Sequence, residues 1–259
     1  MIRLPRFGAQ APLAELDTAA LESGLRLTPD ELTAVFVRST PGASALYVAT
    51  RASRDAPFGT PALASPPALG PNAIAGTPTV AADGLSITVP CYGQAESSLC
   101  VVSRPSVEAP FAAMTTVGYF CLFNGGPASP YECETDSSGA LRAFVATVPP
   151  EPTYSEGIYL ETRDDLASSF TLGPLVLADP EDSFAVSSDG LSIYIAQLDD
   201  GQKGTHVGVA TRATTEEPFG AITALGGLDD YDPSWVSPDQ CRLYLDGADG
   251  DLYVASRAE

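Results

Sequence analysis

Carboxylates fall in short runs along this 259-residue chain, and clustered carboxylates can do three kinds of chemistry. They can hold Ca2+, which takes roughly six to eight oxygens. They can form a negative funnel for a basic protein surface. As a pair at a set separation they can also cleave a glycosidic bond, one as acid and the other as base or nucleophile. The runs are "AELDTAALES" with Glu15, Asp17 and Glu22, "ADPEDS" with Asp179, Glu181 and Asp182, and "LGGLDDYD" with Asp229, Asp230 and Asp232. Asp199, Asp200, Asp246 and Asp249 stand in further turn-like stretches. For glycosidic cleavage the candidates are Glu132 and Glu134 of "YECET", set against Asp182 and Asp232. The plain alternative is that aspartate initiates strands and turns well, which accounts for many of these positions.

Other reactive patterns are thin. "DGADGDLY" carries Asp246, Asp249 and Asp251 like a short calcium loop, but it lacks the EF-hand spacing and the closing Glu and reads as a tight hairpin. His206 is the single histidine, beside "GQKGT", where exposure is expected. GxSxG and Gly-rich phosphate loops are absent, which argues against a serine hydrolase and a nucleotide site. The cysteines Cys91, Cys100, Cys121 and Cys133 form two close pairs that bracket loops, as hairpin disulfides of an exported protein would. Cys241 is left over; in "CRLYL" it reads as a buried strand residue acting as a small apolar side chain.

The elements that must position these residues are strands. Hydrophobic residues make up 44% and charged residues 18%, with 23 Gly and 23 Pro, which fits many short strands joined by tight turns and excludes a helical bundle. The net charge is −20, from 33 acids against 13 bases, and such a surface repels phosphate backbones, so no nucleic-acid partner is expected. No apolar run reaches the roughly 18 residues of a membrane span. "MIRLPRFGAQ" is basic without an apolar stretch, so it does not read as a signal peptide.

Two signatures repeat. The first is a short apolar strand, a turn and an alternating strand: "LTPDELTAVFV", "VAADGLSITV", "VSSDGLSIYI" and "VSPDQCRLYL", with a blurred copy in "TDSSGALRAFV". Asp-Gly between strands is hairpin chemistry. The second is a strand closing on Thr or Ser and then Arg: "LYVATR", "LCVVSR", "IYLETR", "VGVATR" and "LYVASR", ending at Arg51, Arg104, Arg163, Arg212 and Arg257. These arginines are expected to pair with turn carboxylates or loop carbonyls between blades. In four copies a phenylalanine follows, Phe58, Phe111, Phe170 or Phe219, introducing a fourth strand. The last unit lacks that strand, and "RFGAQAPL" at the N-terminus supplies it. The expectation is a single-domain, five-bladed β-propeller of four-stranded antiparallel blades, with the last blade closed by the N-terminal strand. The N-terminal strand spans about residues 1–15 and the blades about 24–64, 77–117, 131–177, 183–225 and 232–259.

The repeat style, most clearly "YDPSWVSPDQCRLYL", resembles the WD-like β-propeller repeats of the TolB-like family of bacterial exported proteins. The third unit departs from it, lacking the Asp-Gly turn and carrying "PPEPTYSEG" as an insertion. The resemblance implies a periplasmic or extracellular binding platform with no shared catalytic residues. In a propeller the loops entering the inner strands crowd one mouth of the channel, and that mouth is the default site. The expected partner-binding set is Asp17, Asp182, Asp229, Asp230, Tyr231, Asp232 and Trp235, the last standing in an inner strand where it stacks on a ligand or packs in the core. The expected ligand is a protein partner or a small cation. No cofactor is expected beyond the Ca2+ option, and the chain is expected to be a monomer. The competing reading is a glycoside hydrolase.

Overall fold

The computed structural model describes residues 6–41, 43–64, 77–92, 97–112, 114–119, 132–135, 142–147, 157–162, 171–178, 183–198 and 205–257, some of the strand residues by backbone alone. Their regular structure is entirely β, in five four-stranded antiparallel sheets. The N-terminal strand β1 is Phe7–Pro12. Sheet one holds β2 (Leu21–Leu27), β3 (Thr33–Thr40), β4 (Ala43–Thr50) and β5 (Ala62–Leu63). Sheet two holds β6 (Thr79–Val80), β7 (Ser86–Tyr92), β8 (Ser97–Ser103) and β9 (Thr115–Tyr119). Sheet three holds β10 (Glu132–Thr135), β11 (Arg142–Thr147), β12 (Gly157–Thr162) and β13 (Thr171–Ala178). Sheet four holds β14 (Phe184–Val186), β15 (Ser192–Leu198), β16 (Thr205–Thr211) and β17 (Thr223–Asp229). Sheet five orders β1 beside β20 (Leu252–Arg257), then β19 (Arg242–Gly247), then β18 (Tyr231–Val236).

The sheets take a propeller arrangement because each has two apolar faces to cover. First strands of neighbouring sheets lie side by side, β10 by β14, β14 by β18, β18 by β2 and β2 by β6. The cores sit between sheets. Leu25, Leu27, Ala34 and Phe36 of sheet one pack with Tyr244 and Leu252 of sheet five. Val35, Val37 and Leu46 meet Ile87, Val89 and Val102 of sheet two, and Tyr194 and Val207 of sheet four meet Leu243 and Leu245 of sheet five. Alternation along each strand sends successive side chains to opposite faces, so each strand feeds two of these cores.

The repeated letters have repeated bonds. Asp30, Asp83, Asp189 and Asp239 each accept the backbone N–H two residues on, at 2.9, 2.9, 2.9 and 3.0 Å. The next residue takes positive φ: Glu31 at 62°, Gly84 at 69°, Gly190 at 70° and Gln240 at 54°. Its carbonyl accepts the Nε of the repeated arginine, Arg51 at 2.7 Å, Arg104 at 2.9 Å and Arg212 at 2.7 Å. Each guanidinium lies over the following phenylalanine, at 4.4, 4.6 and 4.5 Å from the ring centre of Phe58, Phe111 and Phe219. The arginine therefore ties its own sheet's first turn to its fourth-strand approach, within one sheet and not between blades as expected, through a carbonyl in all three and at Arg51 also beside the Glu31 carboxylate at 3.6 Å.

Two expectations are corrected. Cys241 is not a buried strand residue: it is exposed in the turn before β19, because the Asp239 turn carries its N–H and strand pairing begins only at Arg242. His206 is half-buried within β16, opposite Gln197 and Asp229, rather than exposed. Cys100 is buried and disulfide-bonded; Cys121 lies outside the described residues, and Cys91 and Cys133 are described by backbone alone.

Candidate functional site

Among the described residues, three carboxylates come close enough to share one ion where sheets five and one meet, at the Leu21 end of β2. The linker from β1 to β2 is pinned there by buried Leu13 and Leu16 and by the Leu13 N–H donating to the Leu252 carbonyl at 2.8 Å. The Glu22 N–H donates to the Gly250 carbonyl at 2.8 Å, which sets the start of β2 against the β19–β20 hairpin. These contacts bring Asp17, Glu22 and Asp251 together, with one oxygen from each lying within 4.8 Å of the others.

The three acids are not equivalent. Glu22 is buried and compensated: its Oε1 accepts Arg38 Nε at 2.6 Å and Thr18 Oγ1 at 2.7 Å. Arg38 is held in turn by the Leu16 carbonyl at 2.8 Å and lies 4.3 Å from the centre of the Tyr47 ring. No ion pair to Asp17 or Asp251 forms among the described residues. Burial raises the Asp17 carboxyl to about 6; the Leu252 N–H, 3.0 Å from its Oδ1, opposes this, and Asp251, Glu22 and Asp249 add repulsion. Asp249, in the same hairpin, accepts the Tyr253 hydroxyl at 2.6 Å, which holds its carboxyl below the usual range. The corner thus carries more negative charge than its one arginine offsets. Ca2+ binds oxygens at about 2.3–2.6 Å, so oxygens this close can share one ion with water completing the shell.

A second acid lies along the same seam. Asp246 Oδ2 accepts the Gly24 N–H at 2.7 Å, and its carboxyl is raised to about 6 by burial, against the pull of that N–H, Arg26 and Ser234. Its position opposite Asp232 in the strand register adds repulsion. A carboxyl held near 6 in the fold but near 3.8 when unfolded binds its proton more tightly folded, so stability falls as pH rises through that window. Asp246→Asn should therefore gain on the wild type by roughly 2–3 kcal/mol between pH 4 and pH 7. The check is the difference between the two melting temperatures against pH; a flat difference would refute the assignment.

The structure distributes the residues expected from sequence. Asp17 of the linker joins the acidic corner, with Glu22 from the start of β2. Asp229 ends the outer strand β17 and Asp230 follows it with φ 64°; both are exposed. The Asp230 carbonyl accepts the Ala248 N–H at 3.3 Å, which links this turn to the β19–β20 hairpin. Tyr231 meets Tyr253 edge to face at 5.1 Å between ring centres, so it adjoins the Asp249 side of the corner. Trp235 packs on Tyr244 at 5.6 Å, against the core between sheets five and one. Asp182 lies outside the described residues, as do Asp179, Glu181, Asp199 and Asp200; Glu132 and Glu134 are described by backbone alone. Asp251 and Asp246 belong to the motif read as a tight hairpin, and it is one, with the Gly250 N–H donating to the Gly247 carbonyl at 2.9 Å. Sequence reasoning missed that Asp251 meets Asp17, because the contact exists only once the N-terminal strand completes sheet five.

No family model and no curated protein sequence matches the chain. Solved structures do. TolB from Acinetobacter baumannii aligns with a TM-score of 0.53 at 15% identity, over 95% of this chain and 56% of that one, so the chain spans little more than half of TolB's length. Zg3597, a family 117 glycoside hydrolase from the marine bacterium Zobellia galactanivorans, aligns at 0.57 with 11% identity, over 97% and 90% of the two chains. A thermostable family-43 glycoside hydrolase aligns at 0.56 with 14% identity, over 93% and 91%. At these identities the likeness is one of fold: the chain shares the propeller arrangement of TolB and of both hydrolases. That fold serves unrelated functions.

Proposed function

We propose that this chain is a five-bladed, TolB-like propeller acting as a non-catalytic binding platform in the cell envelope or outside the cell. Its acidic mouth receives a positively charged ligand, either a basic surface on a protein partner or Ca2+. The observation that carries this reading is the meeting of Asp17, Glu22 and Asp251 with one compensating arginine, on a chain of net charge −20. Asp229, Asp230, Tyr231 and Asp232 extend the same acidic rim, and Asp182 is assigned to it from the repeat. A cation relieves the repulsion and holds Asp17 ionised, and a ligand that binds only the folded state raises its stability. Millimolar Ca2+ should then raise the melting temperature by a few degrees, reversibly with chelator. An unchanged transition would remove Ca2+ from the proposal and leave the basic partner, tested by pull-down with the Asp229, Asp230 and Asp232 to Asn triple variant.

One observation favours a second reading, glycoside hydrolysis. Asp246 is a buried carboxyl held near 6, which is the property a general acid needs. Against it, Asp246 is already engaged in fixing Gly24. Release of sugar from aryl glycosides, abolished in Asp246→Asn, would establish the hydrolase.

A further inference from the structure

At the end of β2 remote from the acidic corner, a second charged cluster crosses the same seam. Its centre is Glu31, fully buried at 0% exposure in the turn between β2 and β3. Arg242 of β19 grips it with both nitrogens, Nε to Oε2 at 2.6 Å and Nη2 to Oε1 at 2.8 Å. Tyr244 donates its hydroxyl to Oε2 at 2.8 Å, and Arg51 and Arg54 lie at 3.6 and 3.5 Å. Arg54 also reaches Asp239 of sheet five at 3.7 Å.

The backbone at this position takes a conformation that favours glycine, yet it carries a side chain. Glu31 has φ 62°, and the equivalent turn positions in sheets two and four are Gly84 and Gly190, which take that conformation without steric cost. A side chain there costs roughly 1–2 kcal/mol and persists only where the surroundings enforce it. The other exception is Gln240, whose Oε1 accepts the Tyr194 hydroxyl at 3.2 Å. Both exceptions therefore reach a tyrosine on the second strand of the preceding sheet.

The two joints differ in one respect. Between sheets four and five the chain is continuous from β17 into β18. Sheets five and one are connected only through β1, the strand that pairs with β20. If β1 peels from β20, what holds sheet one against β18–β20 is the Glu22–Gly250 backbone bond and the Gly24–Asp246 bond at one end of β2 and the Glu31 cluster at the other, with the core between them. We propose that Glu31 is the clasp of this closing joint, holding sheet one on β19 independently of β1, so that β1 can detach and rejoin without the ring opening. The assignment does not depend on what the acidic mouth binds.

The test is amide hydrogen exchange on the full chain, comparing wild type, Glu31→Gly and Gln240→Gly. Glycine suits the positive φ at both positions, so each variant loses its side-chain contact without straining its turn. Glu31→Gly is expected to speed exchange of β1 and β20 amides by about tenfold while β7 and β8 keep wild-type protection. Gln240→Gly should leave β1 and β20 unchanged, because its joint is covalently continuous. Unchanged β1 and β20 exchange in Glu31→Gly would overturn the clasp, as would equal loss of protection in every sheet or the same effect from Gln240→Gly. Should Glu31→Gly not fold, Arg242→Lys, which keeps the charge but not the two-pronged grip, is expected to show the same pattern more weakly.

Discussion

Arg242→Ala is expected to lower the melting temperature by about 10 °C, more than any other single change at the sheet-five to sheet-one joint. The size follows from the asymmetry of the Glu31 cluster. The Glu31 side chain is 0% exposed while that of Arg242 is 23% exposed, so removing the arginine takes the two short bonds from a buried carboxylate and leaves it the Tyr244 hydroxyl and Arg51 and Arg54 at the longer 3.6 and 3.5 Å. Breaking a buried pair from the charged, desolvated side costs about 3–5 kcal/mol. For a chain of this size each kcal/mol moves the midpoint by roughly 2–4 °C. Glu31→Gln should cost less, since Arg242 retains access to water and Arg51 keeps the Glu31 carbonyl. Calorimetry on the two variants decides the order; an Arg242→Ala loss below that of Glu31→Gln would contradict it.

Arg212→Ala should destabilise by about 3 kcal/mol, and Arg212→Lys by nearly as much. The guanidinium makes two charge-assisted bonds to backbone oxygens, Gly190 at 2.7 Å and Glu217 at 3.2 Å, while stacking on buried Phe219. Lysine keeps the charge but has neither the fork that reaches two carbonyls at once nor the flat face that covers the ring. In Arg212→Ala both carbonyls lose this donor, and in Arg212→Lys at least one of them does. Urea midpoints measure the loss, and a lysine variant within 0.5 kcal/mol of wild type, a margin of about the usual surface-substitution effect, would show that charge alone sufficed.

The repeat made much of this legible from letters alone. Asp followed by a positive-φ residue is a local bond pattern, so it reads the same in four copies, three of which add a Ser or Thr two residues before the Asp. The arginine-phenylalanine spacing is likewise local, a guanidinium reaching back over one turn and forward over one ring. Asp17 meeting Asp251 was not legible, because 234 positions separate them and only the pairing of β1 with β20 brings them together. Glu31 was partly legible: it stands where two sister turns have glycine, and a side chain that occupies a glycine position has a reason to be there. Cys241 misled because its apolar neighbours suggested a strand, whereas the Asp239 turn extends one residue further. Asp229 was read as part of a loop entering an inner strand, yet β17 runs through it, so its backbone belongs to an outer strand.

The central claim is that the acidic mouth, and not the chain's overall charge, captures a positively charged ligand. The most direct measurement is thermal unfolding with and without millimolar Ca2+ on three proteins: wild type, Asp17→Asn with Asp251→Asn, and Asp55→Asn with Glu216→Gln. Both double variants remove two negative charges. The first takes them from the corner, the second from exposed loops that follow Arg51 and Arg212, near the turn ends of their sheets and away from the corner. The account predicts a Ca2+-dependent rise in wild type and in Asp55→Asn/Glu216→Gln, and none in Asp17→Asn/Asp251→Asn. An equal rise in all three would mean that diffuse charge binds the ion and the corner is not a site.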